Sequence, residues 1–182
     1  MKKHYTVLSI ILILTGLRAD TLHFNNHKFF YNLSAKWEMF TEAPTEGFYD
    51  IIYKRIPIKD SKGIEVIPNL IIKLVKISSD NSGSSDVEIF TATSLINFAP
   101  PEVLDDFKKS NNLAKDYGLS AKNSFVFNSP YVDGFNARHT CLYFTIYRKE
   151  KYGVFICVDS TEEIFKMIKQ EITSFIKSIK ID

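Results

Sequence analysis

The sequence is poor in the residues that build disulfide-stapled or motif-bearing domains. Its 182 residues include only two cysteines, seven glycines, six prolines and one tryptophan. Two cysteines allow at most one intrachain disulfide, so a disulfide-rich scaffold is excluded. There is also no Walker loop, GxGxxG, HExxH, GxSxG or CxxC motif, which argues against the enzyme classes that these motifs mark. We therefore predict a protein that is not an enzyme and carries no cofactor.

The chain also lacks a large excess of positive or negative charge when residues 1–19 are left out of the count. Residues 1–19 have a basic start and an apolar run over Thr6–Thr15, which is typical of a secretory signal peptide and short for a bilayer span. The chain has 23 basic and 21 acidic residues. Three of the basic residues and none of the acidic ones lie before the best cleavage residue, Ala19. The remaining chain is nearly neutral, so neither nucleic acid nor an anionic membrane is predicted as a partner.

Residues 20–182 are long enough for one domain with a substantial core. With residues 1–19 as a signal peptide, the domain is predicted to be extracytoplasmic, either periplasmic or secreted, with no stable membrane span after cleavage. Retention of the N-terminal segment as an anchor is the alternative.

The most regular stretch runs from 137 to 182. Alternation of apolar residues predicts strands over 140–147 and 154–158, with a polar break between them. Matching the apolar faces of the two strands requires paired residue numbers with an even sum. In that register Cys141 and Cys157 share the opposite face, and a sum of 298 would place them directly opposite each other.

A long helix follows this hairpin. Ser160 and Glu163 have the spacing of a capping box, with Ser160 as the N-cap. Apolar residues then recur at spacings of three and four, which predicts an amphipathic helix that covers a sheet. These residues are Ile164, Phe165, Ile168, Ile172, Phe175, Ile176 and Ile179.

The earlier residues predict more strands and a middle helix. The segment 70–77 is apolar on both faces, as is typical of a central strand, while residues 87–97 fit either a helix or a strand. Pro101 begins a helix that is expected to reach Tyr117, with Gly118 as its stop. The remaining predicted elements are short strands within 22–40, a strand over 48–58, a polar loop at 78–86, a strand over 124–128 and a turn over 129–134.

Three segments resemble one known family. They are the opening FYNLSAKWEMF, the middle PPEVLDDFKKSNNLAKDYG and the closing YGVFICVDSTEEIFKMIKQEITSFIKSIKI, which are similar to the entry strand, central helix and final strand and helix of Mog1/PsbP-like proteins. Ala35-Lys36 stands where the family usually has a proline before the tryptophan. The resemblance, which spans most of 22–182, implies an α+β fold, an α/β/α sandwich. Its mostly antiparallel sheet would be covered by a middle helix and a long C-terminal helix.

The cysteines and one histidine are the candidate site residues. In an exported chain Cys141 and Cys157 could form a disulfide, or they could pack as two small reduced side chains. His139 lies on the same strand face as Cys141, so His139, Cys141 and Cys157 are candidates for a soft metal such as zinc or copper, or for a Cys–His nucleophile. No fourth ligand, orienting group or oxyanion hole is recognisable, so no metal or catalytic residue is assigned.

Three classes of function follow from these observations. The resemblance implies a non-catalytic binding or assembly module of the cell envelope that acts on a protein partner. The alternative is an extracytoplasmic protein that binds a small ligand or a metal. An enzyme of unrecognised type is the third hypothesis.

Overall fold

The computed structural model describes residues 17–24, 27–44, 48–76, 87–148 and 152–181. The predicted loop at 78–86 and most of the predicted signal peptide lie outside these residues. The described chain has a mixed α+β fold, which confirms the predicted fold class. Within the same residues, none of the helices has the length and apolar character needed to cross a membrane.

A six-stranded antiparallel sheet forms the centre of the fold. Its strand order is β3-β4-β7-β10-β9-β8. These strands are β3 (Trp37–Pro44), β4 (Phe48–Arg55), β7 (Asn69–Lys76), β8 (Ser124–Val132), β9 (Arg138–Arg148) and β10 (Tyr152–Thr161). The sheet leaves β3 and β8 as its two edges.

Smaller strands and the helices complete the described chain. A three-stranded sheet has the order β1-β2-β11, and β5 pairs with β6. These elements are β1 (Leu17–Phe24), β2 (His27–Ser34), β5 (Ile58–Lys59), β6 (Glu65–Val66), α1 (Val87–Phe98), α2 (Pro101–Lys109), α3 (Glu162–Ser178) and β11 (Lys180–Ile181), with a 3-10 helix over Ala114–Tyr117.

The two faces of the large sheet carry separate apolar clusters. Leu142, Phe144 and Ile156 are buried on the face that packs against α3. Tyr143 and Phe155 are buried on the face that packs against α1 and α2. Because side chains alternate between faces along a strand, this arrangement confirms the predicted sandwich. The stripe on α3 is also confirmed as core, since its residues through Ile176 are buried.

The three-stranded sheet packs beside α3 on the same face. The Tyr31 hydroxyl of β2 hydrogen-bonds to the Tyr53 hydroxyl of β4, and the Tyr31 ring meets Phe175 edge-on with centroids 5.7 Å apart. Burial raises the pKa of Tyr31 and Tyr53, so both stay protonated at neutral pH. This contact ties the N-terminal strands to the large sheet.

The predicted end of the middle helix is wrong. The helix that begins at Pro101 ends at Lys109 rather than near Tyr117. The Asn112 side chain explains this end, because it accepts the N–H groups of Ala114 and Val126 and so ties the chain to β8 instead of continuing the helix. Residues 87–97, which the sequence left open, form α1.

Two turn predictions also shift. The turn predicted over 129–134 lies at 133–137, since β8 continues to pair with β9 as far as Val132 and Arg138. Ser160 is not the N-cap of α3. Thr161 takes that position with no side-chain cap, because the pairing of β10 with β9 holds Ser160 in the strand. Glu163 accepts hydrogen bonds from Ser61 instead.

Strand β1 spans the predicted cleavage residue. Ala19 pairs with Asn32 of β2, and the Arg18 Nε lies 2.7 Å from the Asp20 carboxylate. Cleavage after Ala19 would therefore shorten β1 and remove this ion pair, while signal cleavage itself stays a prediction.

Candidate functional site

The sheet brings the candidate residues into three cross-strand rows on the α1/α2 face. Tyr131, His139 and Thr161 form the first row, next to the β8–β9 turn. In the second row Ser129, Cys141 and Asp159 are direct neighbours. The third row consists of Phe127, Tyr143 and Cys157. The rows place a histidine, a carboxylate and both thiols at one end of one face.

The thiol pair, Cys141 and Cys157, lies at the inner end of this face. The two Sγ atoms are 3.1 Å apart and both side chains are buried as free thiols. Paired residues of β9 and β10 have numbers that sum to 300, which is an even sum, as predicted. In this register the two cysteines are diagonal neighbours and do not lie directly opposite each other. The hydrogen bond from Cys157 lowers the pKa of Cys141, and the same bond together with burial raises the pKa of Cys157. A disulfide between them stays a prediction.

His139 is held between two carboxylates. Its Nδ1 lies 3.1 Å from Asp159 Oδ1, and its Nε2 lies 3.4 Å from Asp133 Oδ2. The Tyr131 ring stacks on the imidazole with centroids 4.9 Å apart, and its hydroxyl donates to Asp159 at 3.0 Å. Burial and the Asp159 carboxylate raise the pKa of Tyr131, so its hydroxyl remains a donor at neutral pH. The imidazole thus braces the β8–β9 turn.

The metal hypothesis gains nothing from this arrangement. Among the described residues, no three His, Cys, Asp or Glu side chains come together as a possible metal site. His139 shares the face of Cys141 and Cys157, as predicted, but both of its ring nitrogens lie against carboxylates.

The hairpin tip, residues 131–138, exposes apolar side chains on a fixed turn. Asp133 Oδ1 accepts the backbone N–H of Phe135 at 2.9 Å and that of Ala137 at 2.8 Å. Asn136 has a φ of 62°, in the left-handed region that asparagine tolerates. The Phe135 side chain is 94% exposed, and Val132 is 57% exposed. The turn is therefore internally hydrogen-bonded while its phenyl ring faces solvent.

Sequence reasoning missed most of the residues that build the tip. The sequence pattern predicts only a turn over 129–134 around Tyr131 and Asp133, and it ends the second strand of the hairpin at residue 158, just before Asp159. An aspartate two residues before a backbone N–H that it can cap is a common turn signal, so Asp133 was recognisable. The Asp159 contact depends on strand pairing and was not.

The tip is expected to be sensitive to acid. The N–H groups of Ala137 and Phe135 hydrogen-bond to the Asp133 carboxylate and lower its pKa, with a contribution from His139. A carboxyl group whose pKa is lower in the folded state than in the unfolded state stabilises the folded state at pH values above its unfolded-state pKa. This stabilisation is lost as the pH falls through the pKa of the folded state. The amide proton shifts of Phe135 and Ala137, followed by NMR, should titrate below about pH 3.9.

The matched control is Asp133→Asn, which cannot ionise. In this variant the same two amide signals should show no carboxyl titration. A midpoint above the ordinary aspartate pKa of about 3.9 in the unmodified protein would contradict the assignment, because it would mean a raised pKa.

Comparisons with known proteins include a distant structural likeness. No family model matches the chain, and no curated protein matches it. The fold is similar to a crystal structure of LpqN, a protein described as involved in cell envelope biogenesis of Mycobacterium tuberculosis, with 11% sequence identity, a TM-score of 0.46 and coverage of 91% of each chain. A likeness at this level carries no argument about function, and the Mog1/PsbP-like resemblance stays a prediction.

Proposed function

We propose that this protein is a non-catalytic binding module of the cell envelope that contacts a protein partner through the hairpin tip. The observation that carries the proposal is the almost complete exposure of Phe135 on a turn fixed by Asp133. The predicted signal peptide supports an extracytoplasmic, periplasmic or secreted location. The Mog1/PsbP-like resemblance agrees with a binding or assembly role.

The tip has the composition of a binding epitope. Tyr131, Val132 and Phe135 are exposed within one short segment. Aromatic side chains dominate the binding energy of many protein interfaces, because they bury a large area at a small cost in side-chain entropy. A fixed turn lowers that cost further, since the backbone is ordered before the partner arrives. Contiguous exposed apolar side chains commonly mark interaction sites.

The charges beside the tip define the chemistry of the partner. Asp133, Asp159 and Glu162 carry carboxylates, and Arg138, whose Nε lies 3.8 Å from Glu162 Oε1, carries a permanent positive charge. Acidic groups therefore predominate around the apolar side chains. The complementary partner is a protein with an apolar pocket that accepts the phenyl ring and a rim of lysine or arginine residues.

The role of the imidazole supports a binding module over an enzyme. A catalytic histidine needs a ring nitrogen within reach of the group whose proton it moves. Both nitrogens of His139 lie against carboxylates that also hold the turn and Tyr131. This arrangement favours a structural role for His139 beneath the tip.

The test uses site-specific photo-cross-linking of the full chain in its own host. A photoreactive amino acid replaces Phe135 in one variant and Phe40 in the control, because Phe40 is also an exposed aromatic residue, at 63%, but lies on β3 at the other edge of the sheet. Position 135 should give one dominant adduct and position 40 should not. Equal adducts from both positions, or none from position 135, would contradict the proposal.

The partner identified by its cross-linked peptide is then purified and titrated. Phe135→Ser should weaken binding about tenfold or more, which corresponds to about 1.4 kcal/mol. Phe40→Ser should change affinity less than about twofold. A cross-linked peptide from an acidic surface would refute the basic rim proposed for the partner, and an unchanged affinity for Phe135→Ser would refute the hairpin tip as the contact.

A further inference from the structure

We infer that Cys141 and Cys157 form a reversible, redox-active disulfide rather than a permanent structural bridge. This inference is independent of the hairpin tip and its partner. The two thiols lie at one end of the sheet face that α1 and α2 cover, where β9 and β10 pair.

The contact is close enough for the sulfur of one cysteine to attack the sulfur of the other once the latter carries a leaving group. The Sγ atoms are 3.1 Å apart, about 1 Å longer than a disulfide bond of about 2.05 Å. Both side chains are 7% exposed and lie in the cluster under α1 and α2. The two thiols therefore face each other at short range inside a packed site.

The register makes the bridge strained. Cys141 pairs directly with Asp159 and Cys157 pairs directly with Tyr143, so the cysteines are diagonal neighbours. Diagonal positions on paired strands have Cα atoms about 7–8 Å apart, whereas disulfides usually join Cα atoms about 4.4–6.8 Å apart. Closing the bond must therefore draw β9 and β10 together locally. A strained disulfide is more easily reduced than a relaxed one.

The surroundings oppose relief of that strain. The β10 strand is central, with β7 on one side and β9 on the other, so its backbone is held by two ladders. Tyr143 and Phe155 are buried on the same face as the thiols. The Ser129 hydroxyl, on the strand position opposite Cys141, donates to Asp106 of α2 at 2.5 Å. These contacts favour return to the dithiol once a reductant is present.

The reaction balances with a low-molecular-weight disulfide such as oxidised glutathione as the oxidant. The Cys141 thiolate attacks one sulfur of oxidised glutathione, a mixed disulfide forms, and one glutathione thiolate leaves. The Cys157 thiol then loses its proton, its sulfur attacks Cys141 Sγ, and the second glutathione thiolate leaves. The protein loses two protons and two electrons, and the oxidant becomes two glutathione thiols.

The test equilibrates the full chain with mixtures of reduced and oxidised glutathione. Each sample is quenched with acid, alkylated after denaturation and weighed by intact mass spectrometry. The protein should pass from about nine-tenths oxidised to about nine-tenths reduced over a roughly hundredfold change in the ratio of squared reduced to oxidised glutathione. The oxidised form should be about 2 Da lighter than the dithiol and carry no alkyl group.

Two outcomes would overturn the inference. If both thiols stay alkylatable in oxidised glutathione alone, no disulfide forms. If the bridge persists in a large excess of reduced glutathione, it is structural rather than redox-active. Cys157→Ser is the control, since it can form at most a glutathione adduct on Cys141. The wild-type measurement decides the question even if that variant does not fold.

Discussion

Replacement of Glu171 by alanine should lower the free energy of unfolding by about 3 kcal/mol. Glu171 lies on α3, and its Oε1 accepts the indole N–H of Trp37 from β3. Its Oε2 lies 3.3 Å from a guanidinium nitrogen of Arg55 on β4, which is 8% exposed. Removal of the carboxylate leaves a buried cation and a buried N–H without this partner, and losing one member of a buried pair costs about 3–5 kcal/mol. The lower figure applies because Glu171 itself is 20% exposed.

Urea unfolding followed by far-UV circular dichroism measures this loss. The control is Gln170→Ala on the adjacent, exposed position of α3, which should change stability by less than about 0.5 kcal/mol. Glu171→Gln should fall between the two, because an amide oxygen still accepts from the indole but the charge is gone. A Glu171→Ala variant within about 1 kcal/mol of the wild type would show that the contact is not needed.

Replacement of Gly153 by alanine should destabilise the protein by about 1–3 kcal/mol, the usual cost of an overpacked core. Gly153 is buried in β10, and a Cβ atom built on it would lie 1.9 Å from the phenyl Cζ of Phe90 on α1. Contact at that distance forces the ring or the helix to move. Glycine is thus required here by the close approach of α1 to the sheet, and not by its backbone angles.

A double-mutant cycle isolates this clash. In a Phe90→Ala background the same Gly153→Ala change should cost nothing, or stabilise by about 0.5 kcal/mol, because alanine is favoured over glycine within a strand. Gly134→Ala is the matched control, since a Cβ there would have no atom within 4 Å. Additive effects of Gly153→Ala and Phe90→Ala would contradict the steric explanation. Chemical denaturation of the wild type, the two single variants, the double variant and the Gly134→Ala control provides the measurement.

The elements predicted best are those whose pattern is local. The alternation in β9 and β10 and the three-and-four spacing in α3 each identify a buried face without reference to any other segment. The burial of Trp37 agrees with its large apolar area. The end of α2 was predicted wrongly because Asn112 fixes it through contacts with residues 12 and 14 positions further along the chain. The end of β8 was predicted wrongly because β8 continues to pair with β9 as far as Val132.

The sequence by itself determined the parity of the β9–β10 register, and hence that Cys141 and Cys157 share a face. It could not determine which even register forms, because a slip of two residues preserves the apolar match. The tertiary structure decided that the two cysteines are diagonal neighbours. It also decided that Glu171 meets Trp37, 134 residues away in sequence. The cysteine contact depends on the register of two adjacent strands, and the Glu171 contact depends on the packing of α3 against the distant strand β3, so neither leaves a local pattern.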